Sequence, residues 1–340
     1  MRVVAALLVF LFHVHAPQLE RLTGQGRVGV SFFFVLSGLL LGLSYRTKTP
    51  ATTFYRRRLA RIYPAYFVSL IAGLGVSLWL GDSLGRSYGG PLAFFLLQSW
   101  VPDGSIYYVW NPVSWSLSAE VFFYLLFPLL AKLVVGASVR TTWIIRVVCV
   151  ALLLALGLWA SSISPNAFDQ PDSFTTWATY IAPICRLPEF VLGMSLVSAV
   201  RGQAVLMPKW AVAALLAVAY FLAGFDPTGL GIAAITIIPI CLFLVRFAQA
   251  DSAGDSSILH NKWLVLAGEA SYCFYLVHQI VIRSVGHLIP NHLFPGSILV
   301  FSLLLAAAFA LALHKLVEVP LDRHFNGRSA SVLNRGFIGH

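Results

Sequence analysis

The chain has 340 residues, 59% of them hydrophobic and only 11% charged, with a formal net charge of +10 and a mean hydropathy of +0.82. Soluble domains are roughly 25% charged and much less apolar, so a water-soluble globule is excluded. In so apolar a chain the excess of Lys and Arg marks loops held on the cytoplasmic side of a membrane rather than a nucleic-acid surface, and no nucleic-acid partner is expected.

The apolar residues fall in blocks of about 17 to 25, the length an α-helix needs to cross roughly 30 Å of hydrocarbon. In chain order they predict spans at residues 2–15, 28–45, 62–81, 113–135, 143–161, 177–200, 210–225, 229–248, 264–286 and 296–316. Residues 91–100 read as an ambiguous extra, a short or re-entrant helix. The first block leads into His13, His15 and Pro17 rather than a small-residue cleavage site, so it reads as the first span and not a removed signal peptide. With the N-terminus in the cytoplasm, all 23 Lys and Arg residues lie on that side except Arg21, Arg27, Arg86, Arg186 and Arg283. Glu20, Asp82, Asp103, Asp169, Asp172 and Asp226 then fall in outer loops. The fold predicted is an all-α polytopic transmembrane helix bundle of about ten spans, one domain over residues 1–325 followed by a short polar tail, residues 326–340. Cys149, Cys185, Cys241 and Cys273 all sit in apolar blocks without metal-ligand spacing, so they read as packing residues, and no metal is expected.

Ionisable groups inside spans are costly and face a bundle interior or a wet cavity. Arg2 and His13 are eleven residues apart, three helical turns plus about 20°, which puts a cation and an imidazole on one face about 16 Å apart. The bland alternative is a snorkelling anchor and a satisfied core histidine. Residues 115–124 (WSLSAEVFFY) carry Glu120 inside a span, with Ser116 and Tyr124 four residues to either side on the same face. His13 is a plausible partner for that carboxylate, and a structural polar clamp between helices is the competing reading. In residues 54–64 (FYRRRLARIYP), Arg58 and Arg61 are neighbours on a helix at the cytoplasmic surface and suited to phosphate, while Arg56 and Arg57 read equally well as anchors touching anionic headgroups. Arg186 and Glu189 are three apart within a span and read as paired. Tyr272, Tyr275 and His278 recur at three-residue steps on one face, and Glu318 stands before Pro320 at a helix end.

No P-loop, GxSxG elbow, HExxH or dinucleotide fingerprint occurs, which leaves chemistry to His and Glu. A secondary transporter or flippase using the buried His, Glu and Arg as a proton relay is the second class, although no inverted repeat is visible. A non-catalytic scaffold is a third, disfavoured because scaffolds have no need of intramembrane charge.

Arg2 and His13, residues 29–38 (GVSFFFVLSG), the arginine run, residues 115–124 with Pro128, residues 186–193 (RLPEFVLG), residues 271–278 (SYCFYLVH) and Glu318-Val-Pro320 together resemble the acyltransferase type 3 family, over residues 1–325. Members carry an acidic, Gly-containing segment before the arginine, where this chain has Met1, and larger members add an extracellular domain, so a stand-alone membrane form is expected. The resemblance implies an acyl-CoA-dependent O-acyltransferase of a bacterial plasma (inner) membrane, moving an acyl group, expected to be acetyl, from cytoplasmic acyl-CoA to a hydroxyl of a sugar or related acceptor. In that setting Arg58, Arg61, Arg57 and Ser37 would hold the donor, and Arg2 would line the path of its pantetheine arm. His13 would act as general base with Glu120 as its partner, and Ser116, Ser118 or Tyr124 would offer oxyanion donors. A covalent route, with His13 or a serine acylated first, is equally compatible.

Overall fold

The computed structural model of the chain describes residues 2–14, 24–82, 88–163, 172–202, 207–225, 235–254, 261–289 and 296–326. Expectations that fall on His15, Pro17, Glu20, Arg21, Arg86, Asp169, Asp226, Arg328 and Arg335 lie outside the described residues. Every described element is helical. The principal helices are α1 (Arg2–Val14), α2 (Val28–Ser44), α3 (Ala51–Leu80), α4 (Gly89–Phe94), α5 (Gly104–Tyr107), α6 (Trp115–Val134), α7 (Val139–Ile163), α8 (Pro183–Ser195), α9 (Lys209–Ala223), α10 (Ile237–Ser252), α11 (Lys262–Leu288), α12 (Ser297–Leu313) and α13 (Val319–Asn326), with short helical pieces at Phe174–Thr176 and Val197–Arg201 flanking α8. Two π turns join on to these rods, Trp177–Ile181 ahead of α8 and His314–Glu318 between α12 and α13.

Among the described residues, six helical rods are long and apolar enough to cross a bilayer: Ala51–Leu80, Pro112–Val134, Val139–Ile163, Phe174–Arg201, Lys262–Leu288 and Ser297–Phe325. Shorter apolar helices, Arg2–Val14, Val28–Ser44 and Lys209–Ala223, accompany them. The outward faces are apolar too: Leu125, Leu129 and Leu133 on α6 and Val147, Leu152 and Leu158 on α7 are exposed. Such surface belongs against lipid, because a water-facing domain does not carry apolar patches of this extent. The chain is a membrane protein.

Helix α3 starts eleven residues before the expected span. Hydropathy ends where Arg56 to Arg58 begin, but nothing there breaks a helix: Pro50 precedes the first residue, and Gly81 in the left-handed conformation (φ 72°) closes the last turn. The ambiguous segment at residues 91–100 becomes α4 and a 3-10 turn, Gln98–Trp100. Its buried amide Gln98 donates to the carbonyl and hydroxyl of Ser114, both at 3.2 Å, which fixes this irregular stretch to the start of α6.

At the centre, α2 packs along α8, α1 packs against α2 and α11, and α11 lies against α12 and α3. The α2–α8 crossing depends on two glycines: a Cβ on Gly38 would stand 2.0 Å from the carbonyl oxygen of Phe190, and one on Gly193 would stand 2.0 Å from that of Val35. Without an aqueous phase to drive helices together, backbone approach of this kind is a main source of packing attraction. The same crossing encloses Arg186, which pairs with Glu189 at 3.0 Å, donates to Ser31 Oγ at 3.0 Å and lies over the rings of Phe34 and Tyr180. The expected pairing is thus present, and it is a buried, aromatic-caged ion pair.

Candidate active site

Helix geometry delivers the polar residues of several rods to one cavity of about 520 Å3, within the range of small-molecule sites. Ser116, Glu120 and Tyr124, spaced by four on α6, all line it, as do Arg58 and Arg61, spaced by three on α3. Arg2 from α1, Ser37 from α2 and Tyr272 and Tyr275 of α11 line it as well, whereas His13, the base expected from sequence, is not among its lining residues. Arg57 does not join them. One residue along a helix is a 100° turn, and Arg57 is exposed on another face, which favours the headgroup-anchor reading of that side chain.

The three arginines act on one another through space, and the countercharge that reaches both Arg2 and Arg58 is Glu120. Oε1 of Glu120 accepts a hydrogen bond from Ser37 Oγ at 2.9 Å and another from the hydroxyl of Tyr124. The Arg58 guanidinium lies over the rings of Tyr124 and Phe54, at 5.8 and 5.6 Å from their centroids. This end of the cavity is therefore a cluster of forked donors held by one carboxylate and an aromatic platform, which is the equipment for binding phosphate.

Eight residues, about 12 Å, along α6 from Tyr124, Ser116 Oγ lies 2.7 Å from the hydroxyl of Tyr275, and both reach the carbonyl of Val113, at 3.0 and 3.2 Å. Two hydroxyl hydrogens serve three contacts, so one can turn towards a new acceptor while the other keeps Val113 satisfied. Ser118, also a candidate donor, is buried with no hydrogen-bond partner among the described residues. Behind Tyr275 stands His278, 5.7 Å away between ring centroids, and beyond it His13. Nδ1 of His13 lies 2.8 Å from the carbonyl of Val9 and 3.2 Å from Nε2 of His278. The imidazole that meets His13 is thus His278, whereas the hydrogen bonds of Glu120 run to Ser37 and Tyr124. On its other side His13 touches Phe12, whose ring carries Arg27 at 5.5 Å.

Glu269, His314 and Asp322 also line the cavity and were not singled out from sequence. His314 and Glu318 are four apart, a signal that was available. Among the described residues Cys273, His314 and Glu318 are grouped closely enough to hold a metal ion. Their contacts are those of a hydrogen-bonded set: Sγ of Cys273 and Nδ1 of His314 both meet Oε2 of Glu318, at 3.2 and 2.8 Å. Both separations are hydrogen-bond distances.

A family model described as an acyltransferase domain matches residues 1–314. The chain is 36% identical to "Acyltransferase MdmB" of Streptomyces mycarofaciens, over 94% of this chain and 89% of that protein. It is 24% identical to "O-acetyltransferase OatA" of Staphylococcus aureus over 95% of this chain, which spans 56% of that longer protein. It is also 24% identical to "Nodulation protein 10" of Rhizobium leguminosarum bv. viciae, over 76% of this chain and 74% of that protein. No solved structure matches the chain. With nearly the whole of the sequence covered, the chain belongs to the acyltransferase type 3 family, and it is a membrane acyltransferase.

Proposed function

We propose that the protein is an O-acyltransferase that takes its acyl group, expected to be acetyl, from acyl-CoA and passes it to a hydroxyl of a carbohydrate or related acceptor. The observation that carries this reading is the lining of the cavity, in which Arg58 lies over Tyr124 beside Arg2 and Arg61, and the Ser116–Tyr275 hydroxyl pair stands eight residues, about 12 Å, along α6 from Tyr124. A donor with phosphates at one end and a thioester at the far end of a slender arm matches that layout. Arg58 and Arg61 receive the phosphates, Arg2 flanks the arm, and Ser37 and Tyr124 hold Glu120 as the local countercharge. His13 stands beyond Tyr275 and His278, outside the residues that line this cavity, and takes the part of general base that the family resemblance implies.

The bond changes balance as follows. The acceptor hydroxyl loses its proton to His13 as its oxygen attacks the thioester carbonyl, and the hydrogen freed from the Ser116–Tyr275 pair stabilises the oxyanion. The C–S bond then breaks, the thiolate takes the proton back from His13, and an oxygen ester and free thiol remain. A donor-side cavity coated with arginine suits a cytoplasmic mouth, in accord with the positive-inside reading, an N-terminus in the cytoplasm and about ten spans in one domain over residues 1–325. The organisms of the relatives support a bacterial plasma membrane as the setting.

The test is thiol release from acetyl-CoA by the purified protein in detergent, with a panel of sugars as acceptors. Wild type should release thiol in an acceptor-dependent way, and His13→Ala should lose at least 100-fold, on the order of what a positioned general base contributes. Release that survives His13→Ala in full would remove the histidine from the chemistry, and failure to bind acetyl-CoA at all would remove the donor assignment.

A further inference from the structure

Two imidazoles in hydrogen-bond contact inside a helix bundle must divide their protons, and the surrounding acceptors determine how. Nδ1 of His278 lies 2.7 Å from the carbonyl oxygen of Tyr275, and a carbonyl only accepts. Nδ1 of His278 therefore carries the hydrogen, and its Nε2, in the neutral ring, is a lone pair. That lone pair faces Nδ1 of His13 at 3.2 Å, and the second neighbour of the same His13 nitrogen is the carbonyl of Val9 at 2.8 Å. Both of these are acceptors, so His13 Nδ1 too is a protonated nitrogen and shares its one hydrogen between them, the shorter contact being that to Val9. A neutral ring protonated at Nδ1 has its lone pair at Nε2.

The geometry points to His278 as the positioning residue of the reaction: a neutral imidazole that accepts from Nδ1–H of His13, holds that ring in the tautomer whose Nε2 is basic, and receives the stronger Nδ1–H bond when His13 becomes imidazolium. The inference rests on the reading of His13 as general base. It gives His278 the place that a carboxylate occupies beside the histidine of a hydrolase triad, with a neutral ring as the acceptor. Burial supports it: His278 is fully enclosed, stacked on Phe274 at 6.0 Å and edge-on to Phe10 at 6.3 Å, so its ring cannot turn away without displacing both. The backbone carbonyl of Val9 alone would leave the His13 ring free to rock about its own χ2, because a single bond to one nitrogen does not fix a plane.

The test combines spectroscopy with kinetics. In protein labelled with 15N at histidine, with the two rings assigned from His13→Ala and His278→Phe, both Nδ1 atoms of the wild type should be protonated and both Nε2 atoms unprotonated. A coupling across the N–H···N bond should link His13 Nδ1 to His278 Nε2. His278→Phe keeps a ring between Phe10 and Phe274 but offers no acceptor; kcat should fall about 100-fold while KM for acetyl-CoA stays within twofold. His278→Gln, which restores an acceptor oxygen near the position of Nε2, should recover at least tenfold of that loss. A wild-type His13 protonated on Nε2, no cross-bond coupling, or a His278→Phe enzyme with unchanged kcat would each overturn the proposal. Equal losses in the Phe and Gln variants would make His278 a packing residue only and overturn it as well. The labelled spectra need no turnover, so they separate failure of the pair from failure of His13 as base, which His13→Ala reports on its own.

Discussion

The hydroxyl of Ser37 on α2 donates to Oε1 of Glu120 on α6 at 2.9 Å, across 83 positions of sequence. Tyr124 donates to the same oxygen, so both its lone pairs are used and the carboxylate is held facing Arg2 and Arg58. Glu120→Gln keeps an oxygen that can accept both bonds but removes the countercharge of the arginine cluster. Its kcat/KM in the thiol-release assay should fall by about 100-fold, since interactions of charged groups of this kind are worth about 1.5 to 3 kcal/mol. Ser37→Ala removes one neutral donor and should cost only about fivefold, near 1 kcal/mol.

Neighbouring arginines on α3 should separate cleanly. Arg58→Lys and Arg61→Lys lose the planar fork while keeping the charge, and each should raise KM for acetyl-CoA about tenfold with kcat within threefold of wild type. Arg57→Ala, on the exposed face, should leave both constants within twofold. Initial-rate titrations of the donor against the four proteins decide the matter, and a KM effect of Arg57→Ala equal to that of Arg58→Lys would contradict the placement of Arg57.

A methyl group at Gly38 has no room, because the Phe190 carbonyl oxygen lies 2.0 Å from where it would stand. Gly38→Ala must push α2 from α8, a change costing about 1 to 3 kcal/mol of the kind seen on overpacking, and it also moves the adjoining Ser37 away from Glu120. Thermal unfolding in detergent should show a midpoint several degrees lower together with reduced activity. Gly75 in α3 has nothing within 4 Å of the equivalent point, so Gly75→Ala should unfold at or above the wild-type midpoint.

Features with a helical period were legible in the sequence. The Ser116, Glu120 and Tyr124 stripe, the Arg58 and Arg61 pair and the Arg186 and Glu189 ion pair needed only 100° per residue, and the structure puts each where that arithmetic does. Helices occur at the described parts of the ten apolar blocks, six rods being long and apolar enough to cross a bilayer, although their ends do not follow hydropathy: α3 carries its arginines inside the helix because charge does not break helices. Contacts between distant rods were not legible. His278 was visible as the third member of a polar face, but its meeting with His13 spans 265 positions and depends on how α1 leans on α11. Without that crossing, Glu120 looked like the natural partner because a carboxylate is the commoner companion of an imidazole. Arg57 was grouped with its neighbours by proximity in sequence, and one residue of helical rotation takes it out of the cavity.

The π turn His314–Glu318 sets the angular phase of everything that follows it. A π turn is in effect one extra residue accommodated within an α-helix, so deleting a single residue there would let the rod relax to a regular helix and rotate α13 by about 100° relative to α12. Asp322, which now faces the same cavity as Glu318, would swing to another side, while Ser302, Ala306 and Ala310 would stay buried as before. The chain therefore carries at this point a length-sensitive joint: a one-residue change in register, with no alteration of any side chain in α12, would redraw the cavity wall contributed by α13.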